Sequence, residues 1–211
     1  MEKVWLVRPK PHNIYRMREF LDNNIIAIGW PELGPLTGKS REDIRTDLIP
    51  HPLNYSPDQL GAATSTVNKF VNEMRIDDIV VVPDVKNIYF YRITSDYYYD
   101  QTKSSQSEGY PHQRKVELIK GPVGRDDIPR ALRVSLRAPR ALADLSHHIV
   151  ETLNYINVSS TQQPTLQADN DYAVFDYPVR LNKTATIKIP KDITQAEAIR
   201  LSDFVKTLYF E

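Results

Sequence analysis

Ser56 to Asp100, SPDQLGAATSTVNKFVNEMRIDDIVVVPDVKNIYFYRITSDYYYD, constrains the fold more than any other stretch of the chain. Ser56 is a good helix N-cap and Pro57 suits the first helical position. Leu60, Ala63, Val67, Phe70, Val71 and Met74 then recur at spacings of three and four, which predicts a helix with one buried face. Arg75 to Asp78 breaks that period, and Asp77-Asp78 reads as turn chemistry rather than a metal pair. IVVVP follows as a short β-branched strand of the kind buried on both faces. Ile88 to Thr94 predicts a second strand, closed by Tyr97-Tyr98-Tyr99. Neighbouring strand residues point to opposite faces, so Tyr97 and Tyr99 share one face, Tyr98 takes the other, and at least one ring faces outward.

Read from its N-terminal side, the rest of the chain is less patterned but consistent. Val4 to Val7 predicts a first strand ended by Arg8 and PKPH. Ile14, Met17, Phe20 and Leu21 space as a short helix, and IIAIGW is a second buried strand stopped at Gly29-Trp30-Pro31. Ser40 with Asp43 forms a capping box for a brief helix carrying Ile44 and Leu48. Gln101 to Gly109 is a polar loop expected on the surface and mobile, and HQRKVELI is a strand with His112 and Arg114 near its open end. Residues 125–140 carry arginines at 125, 130, 133, 137 and 140. Arg133, Arg137 and Arg140 are candidate phosphate contacts there, or members of a plain solvated face. Residues 151–171 read as a polar linker, and 172–211 as a hairpin and a helix capped by Thr194 and Glu197, with Leu201, Phe204, Val205 and Leu208 as its apolar stripe.

Composition narrows the classes of function. Lys plus Arg and Asp plus Glu number 27 each, so any nucleic-acid site is a local patch. The absence of cysteine excludes disulfides, thiolate metal sites and a cysteine nucleophile, and agrees with a reducing cytoplasm. No apolar run approaches the roughly 20 residues that span a bilayer, and no signal peptide is visible, so a cytoplasmic protein without membrane contact is expected. No phosphate loop, nucleophile elbow or zinc motif occurs, and adjacent His147-His148 diverge on any regular element. The expectation is a protein that is not an enzyme and uses neither metal nor cofactor.

The ordered set VWLVR, IIAIGW with its LGPL loop, NKFVNEMRIDDIVVVP, IYFYRITSDYYYD and HQRKVEL resembles the N-terminal domain of many Mrr-type restriction endonucleases, within the wider PUA and EVE-like group, over residues 1–148. Three positions depart from that family: Asp77 and Tyr91 stand where glycines are usual, and Leu118 where a tryptophan is common. No nuclease domain follows. The tail, YPVRLNKTATIKIPKDITQAEAIRLSDFVKTL, is similar to a short module at the C-terminus of many bacterial defence and toxin-antitoxin proteins.

The resemblance implies an α+β fold, a PUA/EVE-like bent β-barrel with flanking helices over 1–150, followed by the linker and a small C-terminal β-hairpin and helix. It implies a concave face that holds a base flipped out of a nucleic acid, stacked on aromatic rings and bonded at its polar edge. Carried onto this chain, Trp30 is the leading pocket wall, with a core tryptophan as its alternative. Asn68 falls beside the pocket or on the surface. One face of Tyr97, Tyr98 and Tyr99 forms the rim, while the other packs an edge. His112 and Arg114 meet phosphate or a base edge, or are ordinary surface strand residues. The implied function is a non-catalytic reader of modified DNA, ahead of RNA, in prokaryotic restriction or anti-phage defence. The C-terminal module would bind an effector protein or self-associate, with 1–150 folding without it. The second reading is an antitoxin-like interaction subunit with no pocket.

Overall fold

β1 (Val4–Val7) of the computed structural model is buried along its whole length, because strands flank it on both sides. The structure describes residues 2–50, 54–157, 172–181 and 183–208. A 3-10 turn at Pro11–Asn13 leads into α1 (Met17–Asn23), which buries Met17 and Phe20 and ends on a left-handed Asn24. β2 (Ile25–Ile28) follows at once. α2 (Arg41–Leu48) and α3 (Pro57–Asn68) each start on a complete capping box, Ser40 with Asp43 and Ser56 with Gln59. α3 runs on into a π-helical turn, Lys69–Glu73, so its core face extends through Phe70 and Val71 to Met74.

β3 (Ile79–Pro83), β4 (Asn87–Ile93), β5 (Tyr98–Tyr99) and β6 (His112–Gly124) come next, then α4 (Arg130–Ser135), β7 (Leu142–Asp144) and α5 (Ile149–Asn157). Their sheet has the order β2-β6-β4-β3-β1-β7, with β5 also on β6. β1 and β3 run parallel and every other pair is antiparallel. β6 is shared: His112 to Lys115 pair with β2, and Val116 to Gly124 with β4, across two register shifts near Phe90. Such irregularities bend and twist a sheet, and here it curls into a half-barrel. Gly121, at φ +141°, lies in the bend, where an added Cβ would come 3.0 Å from the Tyr89 ring. The architecture is thus mixed α+β, with a curled sheet and flanking helices.

Two buried charged side chains tie the layers together. The Asp78 carboxylate accepts the Trp5 indole N–H at 2.7 Å and the backbone N–H groups of Lys3 and Arg75, both at 2.9 Å. It fixes the start of β1 against the turn before β3, and its neighbour Asp77 takes the left-handed φ of +73° that a glycine would otherwise fill. Arg114, only 1% exposed, donates Nε to Phe70 O and Nη2 to Val71 O, both at 2.9 Å, and Nη1 to Ser95 O at 3.2 Å. The π-turn leaves helix-end carbonyls unbonded, and the guanidinium caps them with charge of the favourable sign.

Three expectations need correction. The chain divides into units Met1–Ile156 and Asn157–Glu211, because Thr152, Leu153 and Ile156 of α5 are buried; a linker therefore does not begin at 151. Of the linker read over 151–171, residues 158–171 lie outside the described residues. The 101–109 loop, expected to be mobile, is anchored: Arg16 Nη2 donates to Ser107 O at 2.6 Å and Glu108 O at 2.8 Å. All three tyrosines of 97–99 are half-buried, and none projects freely. In the second unit, β8 (Tyr172–Arg180) and β9 (Lys183–Pro190) pair antiparallel, and α6 (Gln195–Val205) starts on the Thr194–Glu197 capping box. Among the described residues, no helix is long and apolar enough to cross a membrane.

Arg114→Met would strand two buried carbonyls and a third that is part-buried. The unfolding free energy, measured by urea titration, should drop by about 3–5 kcal/mol. Arg114→Lys should recover only part of this, since an ammonium lacks the planar fork. A loss below about 1 kcal/mol would show the guanidinium to be dispensable.

Candidate functional site

The curl of the sheet brings its two edges to one cavity of about 200 Å³. Ala27 and Ile28 of β2, with Gly29 and Trp30 just beyond, form one wall. Ala141, immediately before β7, stands with the Arg8 to Asn13 segment after β1 as another, and Tyr55 and Glu32 complete the lining. The space is large enough to admit a small planar group such as a single heterocyclic ring.

The backbone around this cavity is strained. His12, Asn13 and Trp30, all lining it, hold positive φ values of 48°, 60° and 64°. For residues other than glycine this conformation is uncommon and persists only where neighbours enforce it. Gly29 is required beside them, since a Cβ there would come 2.6 Å from the His12 nitrogen.

Trp30 is enforced by a hydrogen-bond chain. Leu36 N–H donates to Tyr97 Oη at 3.2 Å, and Tyr97 Oη lies 2.8 Å from His112 Nδ1. His112 Nε2 is 3.2 Å from the Trp30 carbonyl, which also accepts from Leu33 N–H at 3.0 Å. A carbonyl only accepts, so Nε2 carries the proton, Nδ1 is the acceptor, and Tyr97 donates to it. Burial lowers the His112 pKa to about 4, against a smaller opposing effect of the Trp30 carbonyl, and burial raises Tyr97 to about 12. Both groups are neutral at physiological pH, as the chain demands. The Trp30 indole N–H donates to Tyr55 Oη at 3.0 Å, which holds the half-buried ring at the cavity wall.

Arg8 joins the cavity to the arginine-rich segment. Its Nε donates to Arg140 O at 3.1 Å, and its Nη2 to Leu136 O at 2.9 Å and Ala138 O at 2.6 Å. Partial burial, with Arg125 nearby, lowers its pKa. Arg137 and Arg140, on that clasped segment, are exposed, as is Lys10 on the lining. Arg133 instead pairs with Asp126, and Arg125 donates to Asp84 O and Val85 O.

Of the residues singled out in the sequence, Trp30 lines the cavity, and Tyr97, Tyr99 and His112 stand behind it. Tyr97 and His112 stack with centroids 5.9 Å apart, and Tyr99 meets His112 edge-on at 5.3 Å. His112 is fully buried and Arg114 nearly so, which corrects their reading as surface contacts to phosphate or a base edge. Tyr98 is on the opposite face, bonded to Gln113 Oε1 at 2.8 Å. Asn68 is also away from the cavity lining, spent on Glu73 and Asn72 of the π-turn. Arg8, Lys10, His12, Asn13 and Tyr55 were not anticipated; the signal available was the proline-stiffened RPKPH that follows a buried strand.

Ser135 Oγ lies 2.8 Å from His148 Nε2, whose Nδ1 is 3.1 Å from Glu151. This order matches a nucleophile, base and orienting acid, yet Ser135 ends α4, where helix carbonyls would repel an oxyanion. The three residues join α4 to α5. Among the described residues, no cluster of three or more His, Cys, Asp or Glu is arranged to hold a metal.

A family model described as a domain of unknown function (DUF8426) matches residues 5–128, which include every cavity residue except Ala141. No curated protein matches the chain, and no solved structure does.

The folded state keeps His112 neutral, whereas the unfolded chain protonates it below about pH 6.5. Its contribution is therefore complete above pH 6.5 and is lost as the pH falls through about 4. That displacement corresponds to about 3 kcal/mol. His112→Gln should be less stable at pH 7 and show a shallower loss of unfolding free energy between pH 6.5 and 4. An unchanged pH dependence would mean that the ring is not held neutral.

Proposed function

The chain belongs to the DUF8426 family, and we propose that its first unit is a non-catalytic reader of modified nucleic acid, with a flipped base seated against Trp30. The observation that carries this reading is the open cavity itself. Its aromatic wall is fixed by a buried hydrogen-bond chain, and its rim is clasped to a segment bearing exposed Arg137 and Arg140. A base leaving its stack costs a few kcal/mol, and stacking on an aromatic ring returns about 1–3 kcal/mol. Phosphate contacts from the rim supply the sequence-independent remainder.

The resemblance to PUA and EVE-like domains favours modified DNA over RNA and a restriction or anti-phage setting, with the second unit engaging a partner protein. A subunit serving only for protein contacts would have no use for a ring-sized space left unfilled by its own side chains.

Binding is tested with matched oligonucleotides, unmodified or carrying 5-methylcytosine, 5-hydroxymethylcytosine, its glucosylated form or N6-methyladenine, at stated salt. One modification should be preferred. Trp30→Ala should reduce that preference by about 5- to 150-fold, the worth of one stacking contact, while leaving weak general binding and a folded protein. Arg137→Ala with Arg140→Ala should weaken all oligonucleotides alike and reduce the log–log salt slope by about 2. Equal affinity for every oligonucleotide, unaffected by Trp30→Ala, would refute the reading.

A further inference from the structure

We infer that the second unit is a homodimerisation module, in which the apolar flank of α6 from one copy covers the β8 face of another. Along the hairpin, Phe175 and Tyr177 share a face with Ile187 and Ile189, Phe175 pairing with Ile187 and Tyr177 with Ala185, and Val179 follows at the register shift. The α6 side chains Ala198, Leu201 and Val205 lie over the β9 half of that face. The β8 half is left open: Phe175 is 53%, Tyr177 47% and Val179 59% exposed. On α6, Phe204 (58%) and Leu208 just beyond its end (55%) are equally bare. The opposite sheet face is mixed: Thr186 donates to Asp176 and Lys188 lies over the Tyr172 ring, beside an exposed Val174.

Three considerations select a second copy as the occupant. No described residue of this unit is buried, so its apolar face must be covered by another surface to be stable. The five bare side chains, each about half exposed, offer roughly 500 Å² per copy, given about 150–250 Å² for a whole aromatic residue. Doubled, that is about 1,000 Å², the area a specific interface has to clear. Two complementary patches on one unit, a β8 face lacking a helix and a helix flank lacking a sheet, are what a two-fold pairing exchanges. The helix charges also cancel within each copy, as Glu197 with Arg200 and Asp203 with Lys206, so like copies do not repel.

The experiment uses the full chain, which lacks cysteine and so accepts single cysteines cleanly. Light scattering should give twice the chain mass, and Phe204→Asp and Phe175→Asp should each raise the dimer dissociation constant at least about 30-fold, as for a buried aromatic anchor. Mixing Phe175→Cys with Phe204→Cys under oxidation should yield a covalent dimer that neither variant forms alone, a readout that does not depend on either aspartate variant folding. A monomeric mass at all concentrations, or no cross-link from the mixture, would overturn the inference and leave the face to this chain's own first unit or to another protein.

Discussion

A guanidinium buried this deeply needs oxygens for its N–H groups, and Arg114 finds three backbone carbonyls in two separate places. Two of them belong to the π-turn at the end of α3, and the third lies between β4 and β5. A regular α-helical end would have presented its last carbonyls along the axis; the wider turn opens them sideways toward β6. The position of β6 relative to the helix layer follows from this contact. The candidate site inherits it, because His112 lies two residues back on the same strand face.

From His112 the order propagates outward. Its ring nitrogens take one bond from Tyr97 and give one to Trp30, so the proton on each atom is determined and the Trp30 carbonyl cannot swing away. A left-handed tryptophan is a costly conformation for a loop to adopt unaided. Here it is retained by a buried network whose members all satisfy one another, the circumstance in which polar groups make an interior rigid. Rigidity of that wall is what stacking against a planar ring requires.

Much of the scaffold could be foreseen from residue patterns. The Ser40–Asp43 capping box, the Ser56 N-cap, the α3 core face, the IVVVP strand and the C-terminal hairpin and helix all fall where local rules place them, because these features depend on neighbours a few residues apart. The alternation through HQRKVEL was read as surface because charged residues normally sit outside. His112 and Arg114 are inside, since their partners are backbone groups contributed by segments some 20 to 80 residues away. The cavity was only partly visible for the same reason. Trp30 stood out as a large ring at a Gly-Pro corner, but Arg8, His12 and Tyr55 acquire meaning only when the sheet curls. The polar composition after residue 150 concealed α5, whose three buried side chains suffice to dock a nine-residue helix.

The place of β1 in the sheet has a consequence for biosynthesis. Val4 to Val7 precedes every other strand of its sheet in the chain, yet its neighbours are Ile79 to Val81 on one side and Leu142 to Asp144 on the other. A nascent chain must therefore carry a wholly apolar strand with no partner until Ile79 to Val81 have been made, and with one edge open until Leu142 to Asp144 follow. Such long-range pairing is slow and leaves the growing chain prone to sticking through that edge. This strand is made before either of its neighbours and is among the last to be sheltered, and chaperone engagement during elongation would act on it.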